Sequence, residues 1–500
     1  MDPIALQVLV GGLRAACDEM GAALIRSAYS ANIKERHDCS TALFDAAGEL
    51  VMQAEHIPVH LGSMPEAVAA VLGEEQRPGS PWILNDPYRG GTHLPDITLI
   101  SPVFAAGELL GFAASRAHHA DVGGPTPGGM PARSRTLAEE GVVIPPTRAD
   151  DTTLEQLASQ MRFPRQRLAD LRAQAAANRI GELRLAELVE RHGRAGLRTG
   201  MAAILDYAER RTRAALAELP DGSYSAEDVL EDDARGEPRD AVLRLTVTVA
   251  GECLRLDFSG SDPQVDGNLN CPLSVTKAGA FFAVRAMIDP DAPPSAGAHR
   301  PIEVIAPAGC LLNAQPPAAV AAGNVETSSR VADLVIAALA AACRVPAQGQ
   351  GTMNNLTLAN EDFTYYETLG GGQGACPDRD GPSAIHVAMS NTLNTPVEAL
   401  ETEFPLRVRE LSLRRGSGGA GKHRGGDGLV REIEALAPIR FTLIGERRRH
   451  PPRGRDGGEN GAPGRDSLNG EPLPSKADGD LKPGDRLRIE TPGGGGCGQS

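Results

Sequence analysis

Between Asn85 and Gly124 the chain reads NDPYRGGTHLPDITLISPVFAAGELLGFAASRAHHADVGG, and this stretch limits the possible folds more than any other. Two apolar runs, Ile97 to Phe104 and Leu109 to Ala117, flank the turn cluster Ala105-Ala106-Gly107-Glu108, the pattern of an antiparallel hairpin. Antiparallel pairing sets the start of the first strand beside the end of the second. His93 and Asp96, spaced as H-x-x-D ahead of the first run, are therefore expected to meet His118, which closes the second.

Histidine is concentrated in the same region. Of eleven histidines, His37, His56, His60, His93, His118 and His119 fall between residues 37 and 119, where an even spread would put about two. Imidazole nitrogen together with carboxylate oxygen suits borderline divalent ions such as Zn(II) or Mn(II), and a catalytic ion with an open position lowers the pKa of its water toward neutrality. H-x-x-D is a common spacing, however, and buried hydrogen bonding is the alternative role for His93 and His118. His37 and His119 read as surface groups or supports for neighbouring ligands, and His56 and His60 as packing residues. Cys39 reads as a small buried thiol rather than a nucleophile. Glu139, Glu140 and Glu326 read as solvated or capping carboxylates rather than general bases, and Arg447-Arg448-Arg449 as a solvated face.

Elsewhere the pattern is mixed. Asp2-Pro3 opens an amphipathic helix in which Ile4, Val8, Leu13, Cys17, Met20 and Leu24 recur at helical spacing. Ser40–Phe44 and Leu50–Met52 flank Asp45-Ala46-Ala47-Gly48, a further hairpin that places Asp38 at a strand entry. Trp82–Leu84 is expected as a strand, and Met64–Leu72 as a helix capped by Ser63. Residues 153–219 have helical periodicity and read as a helical hairpin or long paired helices bending near Asn178–Gly181, before Pro220-Asp221-Gly222 ends the run. Beyond it, AVLRLTVTVAGECLRLDF alternates as an antiparallel pair, 321–330 reads as a polar loop, and Val331–Cys343 as an apolar helix. The expected fold class is mixed α+β. An N-terminal metal-bearing α/β domain with hairpins spans 1–150, a helical section spans 151–220, and a β-rich C-terminal domain with glycine-rich loops spans 221–500.

The 500 residues suffice for two or three cores. A net charge of -15 argues against nucleic acid and anionic membrane surfaces as partners. No window is apolar enough to span a bilayer, no basic leader precedes the first apolar run, and the cysteines are scattered singly, which together lead us to expect a cytoplasmic protein. Two glycine-rich basic segments, RRGSGGAGKHRGGDGLVRE and ERRRHPPRGRDGGENGAPG, do not match G-x-x-x-x-G-K-[ST], so ATP is not expected on this chain.

Taken in order, RSAYSANIKERHDCSTALFD, NDPYRGGTHLPD, SRAHHADVGG, FSGSDPQ, AAGNVETSSR, GTMNN, YYETLGGGQGA and SNTLNTPVEALE closely resemble the hydantoinase B family. That family includes the B subunits of N-methylhydantoinases, the C-terminal half of 5-oxoprolinases, and related subunits of caprolactamase and of acetone and acetophenone carboxylases. The resemblance implies a hetero-oligomer in which a hydantoinase A-type partner binds ATP and phosphorylates the substrate's carbonyl oxygen, while the B-type chain holds a divalent metal at which the activated ring is attacked. It implies His93, Asp96 and His118 as metal ligands acting in catalysis through the ion, with Asp38 as a further ligand. A lactam is resonance-stabilised, and phosphorylation of its carbonyl oxygen supplies a leaving group. The implied activity is ATP-dependent hydrolysis of a carbon–nitrogen bond in a cyclic amide such as 5-oxoproline, another lactam or a hydantoin. The alternatives are a ketone carboxylase subunit, a non-catalytic scaffold for the A-type partner, and a stand-alone metallohydrolase.

Overall fold

In the computed structural model, which describes residues 2–54, 57–232 and 239–499, the Asp2 side chain accepts a hydrogen bond from Ala5 N and caps the helix Pro3–Ser27. The helix packs its Leu9, Leu13, Cys17 and Met20 face onto a six-stranded sheet. That sheet comprises β1 (Cys39–Asp45), β2 (Leu50–Ala54), β3 (Trp82–Leu84), β4 (Asp96–Ala105), β5 (Glu108–His118) and β6 (Thr147–Arg148), in the order β2-β1-β5-β4-β3-β6. Its neighbours are all antiparallel, and both hairpins turn where the glycine-containing clusters predict. Side chains alternate between two covered faces. Leu43, Val103 and Ala113 meet the N-terminal helix layer, whereas Ala42, Phe44, Ile100 and Phe112 meet the helix Met64–Leu72.

Ser63 precedes that last helix but does not cap it with its side chain. Its hydroxyl instead donates to Val59 O at 2.9 Å and accepts from the buried Arg116 guanidinium.

The helical section comprises Asp151–Ser159, Pro164–His192 and Arg194–Ala217. The chain does not turn at Asn178–Gly181: the second helix is continuous through these residues, and the break comes at Gly193, whose φ is 69°. The small polar residues mark close approach rather than a turn. A Cβ on Gly181 would stand 2.6 Å from Met20 Sδ, and Asn178 Nδ2 donates to Leu99 O at 3.0 Å.

A second sheet is formed by β7 (Gly222–Asp232), β8 (Arg239–Ala250), β9 (Cys253–Asp257) and β10 (Ile302–Ile305), in the order β10-β9-β8-β7. The helices Leu273–Ile288 and Ser328–Leu339 share one core with it. Residues 321–330 are not the loop that their polarity suggests. They form a π-helical turn, Gly323–Thr327, that runs directly into the helix Ser328–Leu339. Their polar groups bond inward, Thr327 Oγ1 donating to Leu269 O at 2.6 Å and Ser329 Oγ to Val325 O at 2.9 Å.

Among the described residues, nine strands follow: β11 (Asn355–Ala359), β12 (Thr364–Glu367), β13 (Leu406–Arg414), β14 (Gly428–Ala435), β15 (Ile439–Ile444), β16 (Arg465–Leu468), β17 (Glu471–Leu473), β18 (Lys476–Leu481) and β19 (Arg486–Glu490). They sort into the sheets β12-β11-β15-β18 and β13-β14-β19-β16-β17, which share a core that includes Leu358, Phe441, Ile433 and Leu487.

Beside these sheets, glycine-rich segments pack backbone against backbone. Gly372 N donates to Pro492 O at 3.0 Å, Gly494 N to Gly426 O at 2.9 Å, and Gly419 N to Gly494 O at 2.9 Å. A Cβ on Gly372 would lie 2.0 Å from Gly426 O, so glycine is required by contact distance alone. The arginine run also departs from expectation. Arg447 is fully buried and pairs with Asp228 at 3.1 Å and Asp333 at 2.9 Å, because β15 ends where β7 and the helix Ser328–Leu339 supply carboxylates.

Candidate metal centre

Asp96 and His118 are paired residues at the end of the β4–β5 ladder. His93 joins them through a tight turn in which Asp96 N donates to His93 O at 3.1 Å. The loop before it is pinned by Asn85, which donates to Leu94 O at 2.8 Å and accepts from Ile144 N at 2.6 Å. Gly90, at φ 97°, lets this loop close against the helix Met64–Leu72, where a Cβ would stand 2.6 Å from Glu66 O.

One ligating atom from each of His93, Asp96 and His118 lies within 4.8 Å of the others, and all three residues are buried. His93 Nε2 is 3.0 Å and His118 Nδ1 is 3.2 Å from Asp96 Oδ1. The His93 contact is not aligned as a hydrogen bond, and among the described residues neither of its ring nitrogens has a hydrogen-bond partner, nor does His118 Nε2. A buried polar atom left unpaired costs about 1–3 kcal/mol. A divalent cation held by these nitrogens and the Asp96 carboxylate would relieve that cost, imidazole and carboxylate being the donors such ions take. The donor set therefore fits a divalent ion.

The electrostatics favour the deprotonated donors that a cation needs. Burial alone would raise the Asp96 carboxyl, but the neighbouring His93 and His60 rings and a hydrogen bond from His118 hold it well below the usual carboxylate range. Burial lowers His118 and keeps its ring neutral.

The second carboxylate oxygen of Asp96 accepts from Thr92 Oγ1 at 2.8 Å and from Asn324 Nδ2 at 3.4 Å, the latter delivered by the π-helical turn. His60 Nε2 also stands 3.4 Å from that oxygen, while its Nδ1 bonds Ser40 Oγ at 2.9 Å. Tyr366 stacks on His118 with ring centroids 4.5 Å apart. Asp38 lines the same cavity of about 20 Å³ but stands outside the three-residue group. Its backbone carbonyl accepts from His118 N at 3.0 Å. That volume holds about one water-sized group.

The structure thus brings His93, Asp96, His118 and Asp38 to one cavity. It adds Asn324 and Tyr366, which sequence reasoning did not single out, and His60, which reads from the sequence as a packing residue but stands against Asp96 in the cavity wall. The density of histidine was a signal for His60; nothing local marked Asn324 or Tyr366. His119 turns away and bonds Gln174 Oε1 at 3.0 Å, and His56 lies outside the described residues. Burial pushes the Cys39 thiol up, as suits an inert packing group. Glu139 caps a short turn through Thr136 and Arg135 N. Glu140 and Glu326 are instead fully buried; Glu140 accepts from Val320 N and Ala321 N, and Glu326 from Asn355 Nδ2 at 2.8 Å.

The mixed α+β fold and this buried imidazole–carboxylate group define a chain built around a candidate divalent-cation centre. The chain belongs to the hydantoinase B/oxoprolinase family, whose profile matches residues 2–500. It is 38% identical to 5-oxoprolinase 1 of Arabidopsis thaliana, matching across its whole length but covering 42% of that protein. It is 32% identical to a Pseudomonas protein named as the putative B subunit of a D-/L-hydantoinase, of which it covers 90%. The fold matches the crystal structure of the ATP-dependent caprolactamase from Pseudomonas jessenii, with a TM-score of 0.94 and 31% identity, over all of this chain and 91% of the other. The nucleotide-free acetone carboxylase shares the fold with a TM-score of 0.89 at 20% identity. The chain spans about two fifths of the length of the 5-oxoprolinases it matches. Among the described residues, no helix is long and apolar enough to cross a membrane.

Proposed function

We propose that this chain is the B-type, cation-binding component of an ATP-dependent cyclic amidase, and that it opens a lactam or hydantoin ring whose carbonyl oxygen an A-type partner has phosphorylated. The carrying observation is the convergence of His93, Asp96 and His118 on one small buried cavity. These three residues would hold a divalent ion such as Zn(II) or Mn(II), with Asp38 contributing from the cavity wall. When bound, such an ion supplies a water of lowered pKa and a Lewis acid.

The protein's own groups set the stage. Thr92 and Asn324 fix the Asp96 carboxylate through its second oxygen, and Tyr366 holds the plane of His118. Ile57, Val59, Val325 and Met353 line the cavity with apolar surface that limits water. A larger adjoining cavity of about 360 Å³ shares Ile57, Ser390 and Asn391 with it, and that size suits a small ring. The names of the relatives support the reading: one is an ATP-dependent caprolactamase and another carries the name of a hydantoinase B chain.

The test is metal analysis of the purified chain, followed by ATP turnover of the chain combined with an ATP-binding A-type partner. Stoichiometric metal, lost in His93→Ala, and ATP hydrolysis stimulated by a lactam are the expected results. Metal-free protein with a fully active His93→Ala complex would show a scaffold. Turnover requiring a ketone and bicarbonate would show a carboxylase, and ring opening by this chain alone would remove the partner from the reaction.

A further inference from the structure

Ser390 belongs to the walls of both cavities, and the direction of its hydroxyl can be traced from Arg36. Arg36 is fully buried, and a guanidinium only donates. Its Nη2 bonds Thr368 Oγ1 at 2.7 Å and Thr392 Oγ1 at 3.1 Å, so both hydroxyl oxygens accept and their protons point onward. Thr368 Oγ1 is 2.7 Å from Thr392 Oγ1, and either order of donation leaves one proton of the set without an acceptor among the described residues. Donation from Thr392 leaves it on Thr368, which lines only the cavity of about 20 Å³, whereas donation from Thr368 leaves it on Ser390, which also borders the cavity of about 360 Å³ where a ligand can accept it, so the second order is the one a ligand completes. Thr392 then donates to His386 Nε2 at 3.3 Å. With Nε2 accepting, the single ring proton sits on Nδ1. Burial and the charge of Arg36 press His386 down to about 3, which keeps the ring neutral at physiological pH. His386 Nδ1 is in close hydrogen bond with Ser390 Oγ, which must therefore accept. The Ser390 proton is left to face the cavities.

We propose that Ser390 is a fixed hydrogen-bond donor that recognises the activated ring in preference to the resting amide, with Arg36 as a positioning residue acting through Thr392 and His386. The inference rests on the cyclic-amidase reading. A secondary lactam presents an N–H, which is a donor. When its carbonyl oxygen takes the terminal phosphoryl group of ATP, ADP leaves and the N–H proton passes to solvent. The ring nitrogen, now doubly bonded to carbon, bears a lone pair and is an acceptor. Against the resting amide the Ser390 proton finds no acceptor on the ring nitrogen, whereas against the activated ring it forms a hydrogen bond.

The test uses the full chain with its divalent metal and two probes, 2-pyrrolidinone and its O-methyl lactim ether, whose nitrogen is an acceptor. Calorimetry is expected to show Ser390→Ala weakening the lactim ether about tenfold while leaving 2-pyrrolidinone within about twofold. Ser390→Thr restores binding of the ether, and Thr392→Val weakens it without altering the Ser390 side chain. Histidine ¹⁵N spectra of the wild type are expected to place the His386 proton on Nδ1. Equal effects of Ser390→Ala on both probes, or a proton on Nε2, would overturn the Ser390 assignment and leave the amidase reading standing. Failure of both rings to bind the wild type would overturn the amidase reading and this inference with it.

Discussion

Asp96 and His118 face each other across the β4–β5 ladder, so the rung that ends the hairpin is also the floor of the candidate centre. Scaffold and site share the same backbone bonds. A ligand side chain can therefore be removed without dismantling the strand that carries it, which makes the centre testable apart from the fold.

A cation that binds the native chain stabilises it by about 2.7 kcal/mol at a hundredfold excess over its dissociation constant. Thermal unfolding with added Zn(II) or Mn(II) is expected to shift upward, and a chelator to reverse the shift. His93→Ala and His118→Ala are expected to unfold at a temperature that no longer responds to the metal. A shift that persists in both variants would place the binding elsewhere.

Thr92 bonds the Asp96 oxygen that faces away from His93 and His118. Removing such a support weakens metal binding by about 10- to 100-fold in comparable sites. Thr92→Val, matched in size but without the hydroxyl, is expected to show that loss in competition against a chelator, with an unchanged circular dichroism spectrum.

The glycine-rich segments predict opposite outcomes for one substitution type. Gly372→Ala places a methyl group 2.0 Å from Gly426 O and is expected to cost more than about 3 kcal/mol, or to prevent folding. Gly11→Ala, in the helix Pro3–Ser27 with open space around it, is expected to stabilise by about 0.5–1 kcal/mol. Denaturant midpoints of the two variants against wild type measure both effects.

Burial raises Glu140 from 4.5 to about 7. In the unfolded chain this carboxyl loses its proton near 4.5, while the native protein keeps it until about pH 7. Between those values the unfolded state binds fewer protons, so the Glu140 contribution makes stability fall as pH rises, levelling off above about 7. At about 1.4 kcal/mol per unit the effect is at most about 3 kcal/mol. Glu140→Gln, which keeps an acceptor for Val320 N and Ala321 N, is expected to lose this slope when unfolding is compared at pH 5 and pH 7.5.

Local pattern was enough for much of the first half. Period-two apolar runs around short glycine-containing turns specify hairpins, and the hairpin joining β4 to β5 follows from residues close together in the chain. The convergence of His93, Asp96 and His118 follows from that hairpin and was legible in the residue order. The same logic misplaced the bend at Asn178–Gly181, where small residues serve contact with Met20 and the carbonyl of Leu99, both distant in sequence. It also misread 321–330, whose polar groups find internal partners that composition does not reveal.

The order of residues alone established the hairpins, the cluster of histidines and the spacing of H-x-x-D against H-H-x-D, because each depends on neighbours a turn or a strand apart. Folding in three dimensions added Asn324 and His60 against Asp96, Tyr366 against His118, and the buried partners of Arg447. Those contacts join segments separated by tens to hundreds of residues, and no local periodicity encodes which distant backbone will come within a few ångströms.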